Sequence, residues 1–496
     1  MGLQATVDER QARGKDARIQ TPRSVHSGWA PAAGRPSPVD LLAEQDADRE
    51  PDLVPVRHGR MLVSPFTFYR GAAKIMAADL KDTPTAGLHA QLCGDAHLLN
   101  FGVFGSPERR LVFDLNDFDE TLPGPFEYDV KRTAASFEIA GRDNGLSPAQ
   151  SRDLALASVT AYTEAMADFA RMGTMQVWYA SLDEDQIKRI VQGAAAAAAV
   201  AAADKPQKVR EAKKSQVNAP EPAGLGKRGQ RQLERAAAKA HARDSLQALS
   251  KLGEVSDGRY RIVSQPPIVV PLREIAPGLA PDQTDQTDQI DQMIREQFRA
   301  YRATLQPHVR HLLEQFDVVD VARKVVGVGS VGTRAFIVLL QGRDDHDPLF
   351  LQIKEATASV LEAHLPKSRY RQHGQRVVQG QRMMQAASDI YLGWTKGPDG
   401  RHYYWRQLRD MKGAADVATM APAGLALYAR ACGWTLARAH ARSGDPVAIA
   451  AYLGANDAFS RSVADFAERY ADQNERDYAE FAAAIRSGRL TATEGV

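Results

Sequence analysis

Cysteine is nearly absent: 496 residues carry only Cys93 and Cys432. Two thiols cannot build a disulfide framework, and their scarcity fits a reducing compartment. Long apolar runs are missing too. The longest, the alanine tract at 194–203, is too short and too weakly hydrophobic to span a membrane. The first residues have no apolar core, which excludes a secretory signal and leaves a cytoplasmic protein as the expectation. Met1-Gly2 with Thr6 is too slight a match to imply myristoylation. Net charge is also lacking, since 63 Lys and Arg meet 61 Asp and Glu. The whole chain is therefore no polyanion binder by composition. Its length admits two or three domains and a sizeable core.

What is present centres on residues 91–120, QLCGDAHLLNFGVFGSPERRLVFDLNDFDE. Asp95 and Asn100 stand five apart on a predicted loop. A strand over 101–104, a Gly105-Ser106-Pro107 turn and a second strand over Leu111–Leu115 follow. The hairpin runs into Asp114, Asp117, Asp119 and Glu120. A loop carboxylate, an amide and a second carboxylate suit phosphoryl transfer. One Asp can take the acceptor hydroxyl's proton, while Asn and another Asp hold a metal on the phosphates. Hard oxygen donors without a Cys or His set point to magnesium or manganese rather than zinc. Asp, Asn and Gly are also the commonest turn residues, so the stretch needs a phosphate-binding partner elsewhere.

Residues 1–50 are polar and poor in large apolar side chains, which predicts a disordered or loosely draped extension. Ser64 reads as the N-cap of one helix reaching Leu80. After the acidic cluster PGPF breaks the strand, and a helix resumes with Val130, Ala134, Phe137 and Ile139 on its buried side. Asp129, Lys131 and Arg132 in its first turns read as a solvated face, with a reach back to the carboxylates as the alternative. Another helix starts at Ser147-Pro148.

Residues 193–250 are compositionally separate, with eleven Lys or Arg against three Glu over 205–243. No aromatic residue is interleaved for base stacking, so a solvated helical insertion is expected rather than a nucleic-acid surface. Residues 261–272 read as extended chain, and 282–292, DQTDQTDQIDQ, as a helical or loop expansion.

From Ala322 the period becomes that of strands. Two β runs flank a turn holding Gly327, Gly329, Ser330 and Gly332, and a third run ends in Lys354. Glycines let backbone N–H groups approach phosphate oxygens, and a lysine on the adjacent strand supplies a fixed charge. No Lys-Ser/Thr pair follows the glycines, so this is not a P-loop.

These residues carry a resemblance. GDAHLLN resembles the catalytic loop of aminoglycoside phosphotransferases and choline kinases, and its spacing is similar to that of the protein-kinase loop. DFDE is similar to their magnesium-binding segment, GVGSVG and LQIKEA to the glycine loop and third-strand lysine, and YYWRQLRDMKG to the last strand and hinge of the nucleotide lobe. The order is circularly permuted, which compact folds tolerate. The pattern over about residues 50–485 resembles the bacterial family catalogued as domain of unknown function 2252.

The resemblance implies an α+β, two-lobed, permuted kinase-like fold. Its parts are an extension (1–50), a helical catalytic lobe (51–320), a nucleotide-binding β lobe with hinge (321–412) and closing helices (413–496). It implies Asp95 as the catalytic carboxylate and His97 near the transferred phosphate. Asn100 and Asp117 become metal ligands, with Asp119 and Asp114 as rivals. Gly327, Gly329, Ser330, Gly332 and Lys354 hold the phosphates, and the backbone of Arg406, Gln407 and Leu408 faces adenine. Cys93 replaces the first His of the phosphotransferase loop. The helix after Lys354 offers Gln375 and Gln379 where a kinase places the glutamate that pairs with the lysine. His440 is expected in the core, because Ala450 rather than Asn follows Asp445 by five.

The expected activity is ATP- and magnesium-dependent (manganese possible) transfer of phosphate to a hydroxyl on an unidentified small-molecule or protein acceptor. A nucleotide-binding scaffold and an AMP transferase are the alternatives on the same fold.

Overall fold

A computed structural model of the chain describes residues 5–187, 245–256, 259–275, 284–325, 327–344, 346–408 and 411–495. It is a mixed α+β structure with several antiparallel sheets. Most of the predicted basic insertion lies outside the described residues.

Residues 5–50 are largely helical and docked. Helix α1 (Val7–Gln20) starts with a reciprocal capping box between Thr6 and Glu9, and α2 (Pro38–Asp46) is capped by Ser37. Arg10 pairs with Asp445 at 2.7 Å, and Arg35 lies 2.6 Å from both Asp79 and Asp477. The expectation of disorder is corrected here. A low-apolar segment is fixed by arginines whose acceptors lie far along the chain. Helix α3 (Val54–Leu62) follows. The predicted helix from Ser64 is two, α4 (Pro65–Gly71) and α5 (Ala73–Leu80), broken at Ala72, with Ser64 capping the first.

Strand β1 (His89–Leu92) precedes the loop of Asp95. Strands β2 (Phe101–Gly105) and β3 (Leu111–Leu115) form the expected hairpin. PGPF does not simply break the chain: β4 (Leu122–Pro125) pairs antiparallel with β1, Leu92 opposite Leu122. Helices α6 (Glu127–Asp143) and α7 (Pro148–Phe169) then form a large apolar core with helices of the C-terminal part.

The second layer is a six-stranded antiparallel sheet. It comprises β5 (Val269–Pro271), β6 (Asp317–Lys324), β7 (Ala335–Gln341), β8 (Pro348–Glu355), β9 (Gly393–Lys396) and β10 (His402–Gln407). Their order is β9-β10-β8-β7-β6-β5. The glycine turn joins β6 to β7, Lys354 ends β8, and helix α8 (His373–Met384) lies between β8 and β9 in the chain. The sheet takes one strand from Val269–Pro271, ahead of the expected start at 321, and helices from residue 245 onward pack against it. Ala248, Leu249 and Leu252 pack under one part of it, and Phe298, Tyr301 and Leu305 under another. Segment 282–292 falls largely in the helix Thr284–Arg302 that carries these last residues' start. Helices α9 (Pro422–Ser443), α10 (Pro446–Leu453) and α11 (Ala458–Arg486) complete the helical core. No helix of the described residues is long and apolar enough to cross a membrane.

Candidate active site

Helix α6 organises the loop that carries Asp95. Asp129, Arg132, Thr133 and Ser136 recur at helical spacing and all face inward. Asp129 accepts from the N–H groups of Cys93 (2.6 Å) and Gly94 (3.0 Å). Arg132 donates from Nε and Nη2 to one oxygen of Asp95, at 2.8 and 2.6 Å. Thr133 donates to the Ala96 carbonyl, and Ser136 accepts from the Leu98 N–H. The expectation that Asp129, Lys131 and Arg132 form a solvated face is therefore wrong. Asp129 and Arg132 are buried because the loop supplies their partners, Arg132 reaching back to a carboxylate as the alternative had it, while Lys131 turns to the Pro84 carbonyl and the Phe466 ring. Gly94 is required by its φ of +85°, and a Cβ there would stand 2.3 Å from the Glu120 carbonyl oxygen.

His97 is buried; its Nδ1 accepts from the Leu99 N–H, and its Nε2 lies 4.0 Å from Asp95 Oδ2. Burial, reinforced by Arg70 and Arg132, holds its pKa well below the ordinary imidazole value, so the ring is neutral. Asn100 donates from its amide to the Asp95 carbonyl at 2.6 Å, and its own carbonyl accepts from the Asn116 N–H. His440 is a core residue, sharing hydrogen bonds with Tyr162 and Asp129.

The four acids of the hairpin separate by role. Asp114 is fully buried, paired with Arg438 and accepting from the Ala386 N–H, so it faces away from any solvent-filled site. As a metal candidate it is displaced by that arginine. Glu120 accepts from the Val360 N–H, and burial pushes its pKa up to about 7 despite Arg376. Asp119 accepts from Lys354 Nζ at 2.6 Å and from the Tyr404 hydroxyl at 2.7 Å. Asp117 lies 3.8 Å from the same ammonium. Burial raises both carboxylates, but Lys354 and Tyr404 pull Asp119 below its usual range, while Asp119's charge adds to the rise of Asp117. Burial would lower Lys354, yet Asp117 and Asp119 hold it above the ordinary lysine value.

The acid missing beside Lys354 in the sequence is thus Asp119, 235 residues away, and not a residue of α8. That helix instead contributes Arg376, which donates to the carbonyls of Asp119, Thr121 and Thr357. Glu355 points elsewhere, between Arg334 and Arg401.

A cleft of about 510 Å³ opens beside this pair. Asp117, Lys354, Gly327, Ser330, Arg406, Gln407 and Leu408 all border it, so residues from both halves of the sequence share one space. Five cations, Arg109, Lys324, Lys354, Arg406 and Lys412, line it against Asp117 and Asp389. A cavity of that balance favours an anionic ligand. Gly332 packs against Arg49, and Gly329 lies close to the Arg70 carbonyl. The hinge expectation needs one correction. The N–H groups of Gln407 and Leu408 are taken by Asp389 and the Phe350 carbonyl, because the β-ladder and a loop carboxylate claim them first. Backbone donors for adenine are therefore not offered at 407 and 408.

The residues fit a magnesium ion of ordinary kind. Asp117 presents a carboxylate, one-third exposed and 3.8 Å from its nearest cation, and its neighbour Asn116 is tied to Asn100 through the backbone. Among the described residues no group of three or more His, Cys, Asp or Glu is arranged to hold a metal alone. Magnesium commonly takes one or two protein oxygens and completes its shell with phosphate and water.

Arg132, Asp129, Arg376 and Tyr404 were missed as site residues by sequence reasoning. The one available signal was the polar spacing 129, 132, 133, 136, which marks a helix face as clearly as an apolar stripe does.

Searches among curated proteins and among solved structures gave no match. The family described as "Uncharacterized protein conserved in bacteria (DUF2252)" matches residues 49–223 and 223–484. With nearly the whole described fold inside those two spans, the chain belongs to the DUF2252 family.

Proposed function

We propose that the cleft binds ATP with magnesium and transfers its γ-phosphoryl group to a hydroxyl acceptor, on a circularly permuted, two-lobed kinase-like fold. The observation that carries this reading is the 2.6 Å contact between Lys354, which lines a cation-rich cleft, and Asp119 behind it. The order of parts in the sheet supports it. A glycine turn joins two strands, the lysine ends the next strand, and a helix follows, as in a kinase nucleotide lobe.

In this mechanism Arg132 fixes Asp95 through Oδ1, leaving Oδ2 toward the acceptor. Asp95 takes the hydroxyl proton as the acceptor oxygen bonds to the γ-phosphorus. The bond from that phosphorus to the bridging oxygen breaks, and ADP leaves with the electron pair. Neutral His97 stands 4.0 Å from Asp95 without competing for the proton. Lys354 holds the phosphates, and the glycine turn offers backbone N–H groups to them. Asn100 and Asp117 would hold magnesium, which would supply charge neutralisation on the phosphate oxygens. Positioning and charge complementarity carry most of the acceleration.

The scaffold alternative drew on a lysine without an acid, and Asp119 removes that support. ADP formation from ATP–magnesium, with water as acceptor, tests the proposal alongside the intact mass of the protein. Wild type should release ADP and carry at most phosphate, and Lys354→Met should weaken nucleotide binding about tenfold or more, the scale of one charge-assisted contact. Release of pyrophosphate or an AMP adduct would instead mark nucleotidyl transfer.

A further inference from the structure

Buried arginines in this protein have partners. Arg57 meets Asp46, Arg132 meets Asp95, Arg438 meets Asp114, and Arg376 binds three carbonyls. Arg70 is different. Its Nε is buried without a hydrogen-bond partner, as are those of Arg57, Arg376 and Arg438, but among the described residues the rest of its guanidinium has no hydrogen bond to make up for it and no carboxylate within ion-pair distance. A guanidinium left so is costly, and a protein that keeps one is holding a charge for something absent from the fold.

The position of Arg70 says what that something is. It sits in the last turn of α4, just before the break at Ala72. Its own carbonyl oxygen abuts the glycine turn, 3.1 Å from where a Cβ on Gly329 would lie. On the other side it is within electrostatic reach of Asp95 and His97, and of Arg60, whose Nη1 donates to the Gly327 carbonyl at 2.5 Å. One unpaired cation therefore stands between the carboxylate assigned to the acceptor's proton and the turn assigned to the phosphates. Lys354 and its acids stand apart from it, already mutually paired.

We propose that Arg70 is a catalytic residue of the phosphoryl transfer, an arginine supplied in cis that binds the γ-phosphoryl oxygens as the group passes from ATP to the acceptor. This rests on the phosphotransferase reading and deepens it. Arg70 exchanges no proton; it stabilises charge on the equatorial oxygens while the bond to the bridging oxygen breaks and the bond to the acceptor forms. Because the free protein holds this charge unmatched, its removal relieves a cost in the absence of ligand. Activity and stability should then move in opposite directions, as they do where a site is built at the expense of the fold.

The test compares wild type, Arg70→Met and Arg70→Lys in three measurements: ADP formation, ATP–magnesium affinity, and the thermal midpoint without ligand. Arg70→Met should lower kcat at least about a hundredfold, the low end for oxyanion- and arginine-type contacts. Its affinity should change much less, and its midpoint should stay level or rise. Arg70→Lys should recover part of the rate. Wild-type kcat in Arg70→Met overturns the role of Arg70 and leaves the phosphotransferase reading intact. A rate loss matched by a fallen midpoint in both variants makes Arg70 a structural residue and likewise overturns the inference. Wild type that neither binds ATP–magnesium nor forms ADP overturns the underlying reading, and the role of Arg70 with it.

Discussion

The loop from Cys93 to Asn100 and the turn from Gly327 to Gly332, which the proposed function assigns to one reaction, are held in opposite ways. The loop is gripped from behind by one helix, through Asp129, Arg132, Thr133 and Ser136. Its donors and acceptors are side chains spaced by the helix itself. The turn is gripped by the N-terminal segment through its carbonyls: Gly327 by Arg60, Val331 by Arg49, and Gly332 by the N–H of Glu50. Leu53 and Val56 add an apolar seal against Val325 and Val331. A carbonyl pulled outward turns the next residue's N–H the other way, since the peptide is planar and trans. The first clamp thus fixes a carboxylate, and the second fixes the course of the turn, whose Val331 and Thr333 N–H groups are taken by the Val328 and Ser330 carbonyls.

That contrast can be broken at each end. The largest effect belongs to the carboxylate. Asp95→Asn should keep ATP–magnesium affinity and lower kcat by about 10²–10⁴, the range for a lost general base, in an ADP-formation assay. Next comes the loop's anchor. Asp129→Ala leaves two buried N–H groups unsatisfied and should cost about 3 kcal/mol or more of stability in a denaturant titration.

A smaller effect separates the clamps by pH. His97 is neutral in the folded state with a depressed pKa, whereas an unfolded imidazole titrates near about 6.5. The unfolded chain therefore binds the extra proton first as pH falls. Stability present above about pH 6.5 is lost below it, with a limiting slope of about 1.4 kcal/mol per pH unit for one such group. His97→Gln should flatten that slope in denaturant titrations at stepped pH, while Arg60→Ala should not, since its guanidinium keeps its charge throughout. The smallest effect is at the turn. Arg60→Ala should cost about 1 kcal/mol and speed hydrogen exchange at 327–333 without altering exchange at 93–100.

The same two segments show what the sequence made legible. Both were located from residue chemistry alone, because Asp, Asn, Gly and Lys declare their uses locally. The hairpin, its register-bearing strands, the Ser64 and Ser147 caps and helix α8 followed from period and capping. The clamps did not, because each is a long-range pairing. Arg35 meets Asp477, Arg49 meets Val331, and Lys354 meets Asp119, and no local pattern reports such distances. The choice between a disordered and a draped 1–50 was open for that reason, as was the choice between Asp129 and Arg132 as surface charge and as partners of the loop. The expected β segment from 321 does not name everything that builds the sheet: a strand at Val269–Pro271 joins it, and helices before 321, amphipathic in their own right, bury apolar faces under it.

The central claim is that the early carboxylates and the late lysine enclose one nucleotide, and thermal unfolding with and without ATP–magnesium addresses it most directly. At about a hundred times the dissociation constant, ligand should add roughly 2.7 kcal/mol to wild type. At that same concentration Lys354→Met should gain clearly less. An unchanged wild-type midpoint at millimolar ATP–magnesium, or an equal gain in the variant, would contradict the account.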